Sequence, residues 1–181
     1  MNKGIYFLSI PLPEELVLKI REWRSAIMSD ALIRWVRDDK LHITILFFGK
    51  IEIELLKEIE EKVSAVLQDF NSFDVNVTEA RVKKLHNRRK NMLWLRLENN
   101  SEFERLYMEL KNKLAAYADF RKGDFNPHIT LARHVDKSFQ LDQDFREFEH
   151  TMDLKSIELM ESDRTGPEVK YVVQHSFSLD N

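Results

Sequence analysis

Apolar and polar positions along the chain alternate between two periods. The run Ile5, Tyr6, Phe7, Leu8, Ile10 reads as a strand over Lys3–Ile10 that Pro11 and Pro13 stop. Glu14 and Glu15 then open a helix with Leu16, Ile20, Trp23 and Ile27 near the 3.6-residue period. A short strand at Ile33–Val36 and a turn at Asp38-Asp39 lead into the apolar run Leu41–Gly49. The clearest helical pattern spans Glu52–Phe70, with Leu55, Leu56, Ile59, Val63, Val66 and Leu67 on one side and acids in the first turns, where the helix dipole favours them.

From Phe73 the period drops to two (Phe73, Val75, Val77), predicting a strand that continues toward Leu85, and Met92–Leu97 follows as another. Ser101 with Glu104 forms a capping-box pattern for a helix reaching about Ala118. After a loop at Gly123-Asp124, Pro127–Arg133 reads as a strand, and Met152–Met160 and Val169–Phe177 as two more, joined by a turn at Thr165-Gly166-Pro167. The predicted order is strand, helix, strand, strand, helix, then strand, strand, helix, strand, strand, strand. That order implies an α+β fold of two antiparallel sheet lobes with outer helices, duplicated in architecture and carried as one domain over residues 1–181.

Composition narrows the class. With 43% hydrophobic and 33% charged residues the chain can bury a core and keep a solvated surface. No apolar run is long enough to span a bilayer, and Cys is absent, which fits a cytoplasmic protein with no thiolate-bound metal. The net charge of −3 confines any nucleic-acid contact to a local patch. The stretch Arg81–Lys90 (RVKKLHNRRK) is such a patch: Arg88, Arg89 and Lys90 are candidate RNA-phosphate contacts, while Phe48 and Trp35 are candidate base-stacking rings.

Two strands carry the same tripeptide, His42-Ile43-Thr44 and His128-Ile129-Thr130. From the numbers of His and Thr in the chain, roughly 0.2 His-x-Thr occurrences are expected by chance. Residues two apart on a strand share a face, so each tripeptide offers an imidazole and a hydroxyl side by side. Two histidines with no Ser or Cys nucleophile beside them point to general acid–base chemistry, one ring taking a proton and the other giving one. Opening a cyclic phosphodiester needs that division, with hydroxyls on the non-bridging oxygens and an arginine against their charge. Arg133 is the candidate, although five residues beyond His128 it reaches the same face only through a bulge or the strand end. No HExxH helix, cysteine or carboxylate accompanies the pair, so no metal or other cofactor is expected. His86, His134, His150 and His175 lack the Thr context and receive no role.

The segments Leu41-His42-Ile43-Thr44-Ile45-Leu46-Phe47-Phe48-Gly49 and Asn126-Pro127-His128-Ile129-Thr130-Leu131-Ala132-Arg133 resemble the paired HxTx signatures of the 2H phosphoesterase superfamily. Within it they resemble the RNA 2′,3′-cyclic phosphodiesterases, historically called 2′-5′ RNA ligases. Ile5–Ile10 with Pro13-Glu14-Glu15, Trp35-Val36, Met92–Leu95, and Leu159–Ser162 through Gly166 and Tyr171 fall where that family has similar segments. The chain departs from the family pattern at Phe47-Phe48, where Phe-Leu is commoner, and at Asp163–Pro167, which replaces a more Pro- and Gly-rich loop.

The resemblance implies a bilobal fold with a pseudo-two-fold axis and a central cleft, and metal-independent hydrolysis of RNA 2′,3′-cyclic ends to 2′-phosphates. It implies His42 as proton donor, His128 as proton acceptor, Thr44 and Thr130 as phosphate ligands and Arg133 as a substrate contact. The expected partner is RNA ending in a cyclic phosphate, tRNA fragments among the candidates, with no membrane and a monomeric protein. Alternatives that keep the motif are 2′-5′ ligation, a cyclic-phosphate nucleotide or ADP-ribose phosphodiesterase, and a non-catalytic RNA-binding module.

Overall fold

The computed structural model describes residues 3–84, 90–98, 100–118 and 125–179. Among these residues nine strands form one antiparallel sheet: β1 (Lys3–Pro11), β2 (Ile33–Trp35), β3 (His42–Glu52), β4 (Phe73–Lys83), β5 (Asn91–Leu97), β6 (His128–Val135), β7 (Glu147–Leu154), β8 (Ser156–Asp163) and β9 (Lys170–Ser178). Accompanying them are the helices α1 (Glu14–Ala26), α2 (Leu56–Leu67) and α3 (Ser101–Lys113). The order across the sheet is β7-β4-β5-β6-β3-β1-β8-β9, with β2 on β6. It divides into two four-stranded halves that exchange under a pseudo-two-fold, and the two His-Ile-Thr strands lie side by side at the centre. The predicted loop at Gly123-Asp124 and the continuation of β4 to Leu85 lie outside the described residues.

The ladder pair Ile43↔Ile129 joins the halves. Both isoleucines are fully buried, so their neighbours His42, Thr44, His128 and Thr130 project to the other face. Antiparallel continuation of that register sets Thr44 opposite His128 and His42 opposite Thr130. The core lies on the isoleucine side. There α2 packs against α3 and β9, and α1 buries Leu16 and Ile20 while Trp23 meets Phe145 and Phe148 edge-on. None of the helices among the described residues is long and apolar enough to cross a membrane.

Several boundaries differ from the periodicity reading for local physical reasons. Glu52 does not start a helix: it closes β3 opposite Lys3, with a 3.2 Å ion pair, and α2 begins at Leu56 after a 3-10 turn at Ile53–Leu55. Asn100, not Ser101, caps α3. Its side-chain oxygen accepts from the Phe103 N–H at 2.8 Å while its amide donates to the Asp74 carbonyl, so the cap also ties α3 to β4. The predicted strand Met152–Met160 is two strands. Lys155 breaks it, β7 pairing with β4 in one half and β8 with β1 in the other, and the alternation slips by one residue there, from buried Met152 and Leu154 to buried Ile157 and Leu159.

Candidate active site

Each His-Ile-Thr tripeptide opens its strand. The His42 Nδ1–H donates to the Lys40 carbonyl and the His128 Nδ1–H to the Asn126 carbonyl, each at 2.9 Å and each two residues back. A carbonyl accepts and cannot donate, so both neutral rings carry their proton on Nδ1 and present Nε2 as a lone pair. On β3 that lone pair accepts from the Thr44 hydroxyl at 3.1 Å. On β6, His128 Nε2 and Thr130 Oγ1 have no partner among the described residues.

After each threonine the strand takes an extra residue. Thr44 faces Ser9 but Leu46 faces Leu8, leaving Ile45 bulged; Thr130 faces Trp94 but Ala132 faces Leu93, leaving Leu131 bulged. Two consecutive residues therefore turn to the core, Ile45-Leu46 and Leu131-Ala132; on β3 the alternation then resumes in opposite phase, while on β6 Arg133 and His134 are both exposed across a second register shift before buried Val135. The phase change answers the question the sequence left open about Arg133: the bulge turns it to the face of His128 and Thr130. The same step on β3 turns out Phe47, 55% exposed, and buries Phe48 at 7% in the core. Phe48 is thus not a ring for stacking a base, and the exposed aromatic is its neighbour.

Three residues absent from the sequence-derived site complete it. Tyr171 of β9 stands edge-on to His42 (5.2 Å between centroids) and accepts a hydrogen bond from Arg133 Nη2 at 2.5 Å, linking a cation of one half to the histidine of the other. Phe7 of β1 lies 5.2 Å from His42. Trp94 stacks on His128, centroids 3.8 Å apart and planes at 21°. Strand alternation within Met92–Leu97 is a signal that could have set Trp94 on the face away from Leu93 and Leu95, but nothing local in the sequence joins Tyr171 to His42.

Burial holds both imidazoles below the ordinary 6.5, because removing the ring from water penalises its charged form. For His42 the Lys40 carbonyl opposes this, and the charges of Arg133 and His128 add to it. For His128 the Asn126 carbonyl opposes and the Lys83 charge adds. Each histidine rests neutral near pH 7, with a cation nearby that disfavours its protonation until an anion arrives.

Among the described residues, two cavities flank the pair. One of about 390 Å³ lies on the Arg133 side, walled by Trp35, Val36, Val169 and Tyr171, with Arg37 and Lys40 facing Glu168 at 3.9 and 3.7 Å. The other, about 360 Å³, lies beyond Trp94. Of the basic stretch, Lys90 is bound to Asp136 at 2.8 Å, which holds that carboxyl down at about 2, whereas Arg88 and Arg89 fall outside the described residues. No group of three or more His, Asp or Glu side chains able to hold a metal occurs among the described residues.

A model of the 2′-5′ RNA ligase superfamily matches residues 12–166. An RNA 2′,3′-cyclic phosphodiesterase of Thermotoga maritima is 28% identical over 177 residues, 94% of each chain. One of Methanocaldococcus jannaschii is 26% identical over 179 residues, 89% of this chain and 94% of its own. The crystal structure of E. coli LigT in apo form matches with a TM-score of 0.84 at 21% identity over 100% of both chains. The crystal structure of TT0787 of Thermus thermophilus matches with a TM-score of 0.82 at 21% identity over 97% of both. At these identities the structural likenesses speak for the fold.

Proposed function

The chain belongs to the 2′-5′ RNA ligase superfamily, and from that premise we propose that it is a phosphoric diester hydrolase that opens RNA 2′,3′-cyclic phosphate ends to 2′-phosphates. The observation that carries this reading is the matched anchoring of His42 and His128. Main-chain carbonyls hold both Nδ1–H groups and leave two Nε2 atoms facing one cleft over two threonines. The 28%-identical relative from Thermotoga maritima, named for that activity and aligned over most of both chains, supports the choice of substrate.

In the proposed step, water attacks phosphorus from the β6 side and His128 Nε2 takes its proton. The P–O3′ bond breaks in line on the β3 side, and His42, protonated at Nε2, gives that proton to the departing oxygen. Thr44 and Thr130 donate to the non-bridging oxygens, and Arg133 offsets the charge that grows on them. The unengaged Nε2 of His128 suits the acceptor role. The same displacement with a 5′-hydroxyl of a second RNA in place of water, its proton going to His128 and P–O3′ breaking as before, would be 2′-5′ ligation. Each half supplies one histidine, so residues 1–181 act as a single bilobal unit.

An RNA oligonucleotide ending in 2′,3′-cyclic phosphate, incubated with the protein in EDTA, is expected to give a 2′-phosphate end. Absence of turnover, with tight and salt-sensitive binding retained, would overturn hydrolysis in favour of an RNA-binding module.

A further inference from the structure

We propose that the cavity beyond Trp94 is a subsite for the phosphate on the 5′ side of the terminal ribose, and that it makes the protein select polynucleotide ends over lone cyclic nucleotides. The proposal rests on the cyclic-phosphate reading above and names what else that site binds.

The cavity is lined by Arg81, Val82, Lys83, Trp94, Arg96 and Asn126. It adjoins the reacting centre directly: Trp94 stacks on His128, and Asn126 supplies the carbonyl that anchors the same ring. Its cations exceed its anions. Arg81 and Arg96 share one carboxylate oxygen, Glu79 Oε1, at 2.7 and 3.0 Å. Lys83 makes no ion pair among the described residues, and its Nζ lies 5.4 Å from the Trp94 ring centroid. An excess of guanidinium and ammonium groups is what a phosphate would satisfy, with the arginine forks matching its oxygens.

The two cavities differ in a way that orders the substrate. The one on the Arg133 side has aromatic and aliphatic walls; of its cations Arg34, Arg37, Lys40 and Arg133, two face Glu168 and Arg133 bonds Tyr171 beside the reacting centre, so the stacking walls of this cavity suit a nucleoside. Beyond Trp94, Val82 is the only aliphatic residue among the described lining residues. With a cyclic phosphate held between the histidines, the base leaves the ribose at C1′ and the next phosphate at C5′, in divergent directions. One cavity takes each. The positive field of the Trp94 cavity also reaches His128, whose pKa Lys83 depresses, so an anion bound there would ease protonation of that ring.

The test compares adenosine 2′,3′-cyclic phosphate with the same compound carrying a 5′-phosphate. It also compares calorimetric binding of the unreactive adenosine 2′-phosphate with that of adenosine 2′,5′-bisphosphate. The 5′-phosphate should raise kcat/KM and tighten binding by about tenfold or more, as a charge-assisted contact does, with Lys83→Met removing most of both gains and Lys83→Arg restoring them. Reading ratios separates the contact from any general effect of Lys83 on His128. Cyclic substrates turned over with both ratios near one would overturn the subsite and leave the hydrolytic reading standing. A binding gain lost in Lys83→Met, with neither cyclic compound hydrolysed, would support the subsite and overturn the hydrolysis. An equal loss on both members of each pair would assign Lys83 to His128 alone and overturn the subsite.

Discussion

His42–Phe47 on β3 and His128–Arg133 on β6 are one design executed twice, and they differ at the sixth residue. Both anchor the imidazole through the carbonyl two residues back, both aim the threonine beside it, and both bulge after the threonine so that the sixth residue joins the histidine's face. On β6 that residue is a cation, and on β3 an exposed ring. The surroundings differ to match. His42 forms a three-ring cluster with Phe7 and Tyr171 and has its Nε2 engaged by Thr44, whereas His128 lies flat on Trp94 with its Nε2 open. Duplication supplies two proton-transfer groups in equivalent frames, and the unmatched sixth residues and ring partners give the two halves separate work.

The sharpest way to break the comparison is to remove each histidine. His42→Ala and His128→Ala should each lower kcat on a cyclic-phosphate oligonucleotide by about 10²–10⁴-fold, and the double variant by much less than the product, since the two act in one step. Near-normal turnover in either single variant would end the paired-histidine scheme.

Making β6 resemble β3 with Arg133→Phe should cost about a hundredfold in kcat/KM, the usual scale for losing a group that meets transition-state charge. The sign of its electrostatic effect can be read separately. Arg133 disfavours the charged His42 ring, so its loss should move the His42 titration, followed by imidazole NMR, back up toward 6.5. In the unaltered protein both rings titrate below 6.5, so kcat/KM should peak on the acid side of that value and fall as pH rises through neutrality and the donor loses its proton. A plateau extending to alkaline pH would contradict the depressed pair.

The smallest effect is expected at the other sixth residue. Phe47→Ala should cost no more than about tenfold, in KM and not kcat, because a ring on the cleft face offers a base only stacking area. A loss in kcat as large as that of Arg133→Phe would show the two halves to be chemically equivalent after all.

Period and turn chemistry carried most of the architecture, because both His-Ile-Thr strands and the main amphipathic faces are local patterns. The misses share a cause, which is pairing between distant strands and residues that no single segment specifies. Between Leu154 and Ile157 the inward positions slip by one residue, and that short slip is where the backbone passes from one half of the sheet to the other. No residue marks the bulges in this chain, so the sequence offers Phe48 and not Phe47 as the stacking ring and leaves the aim of Arg133 open. Asn100 and Ser101 are adjacent residues that both cap well, and the contact of Asn100 with Asp74 decides between them. Tyr171 reaches His42 from β9, a meeting set by strand order alone.

The carbonyl anchors of the two histidines carry an evolutionary corollary. Every amino acid brings the same carbonyl, so substitution at position 40 or 126 cannot erase the group that fixes the tautomer. Yet the side chains at those positions line the two flanking cavities, Lys40 one and Asn126 the other. Heritable variation there is free to retune what is recognised while the proton chemistry stays written in the main chain.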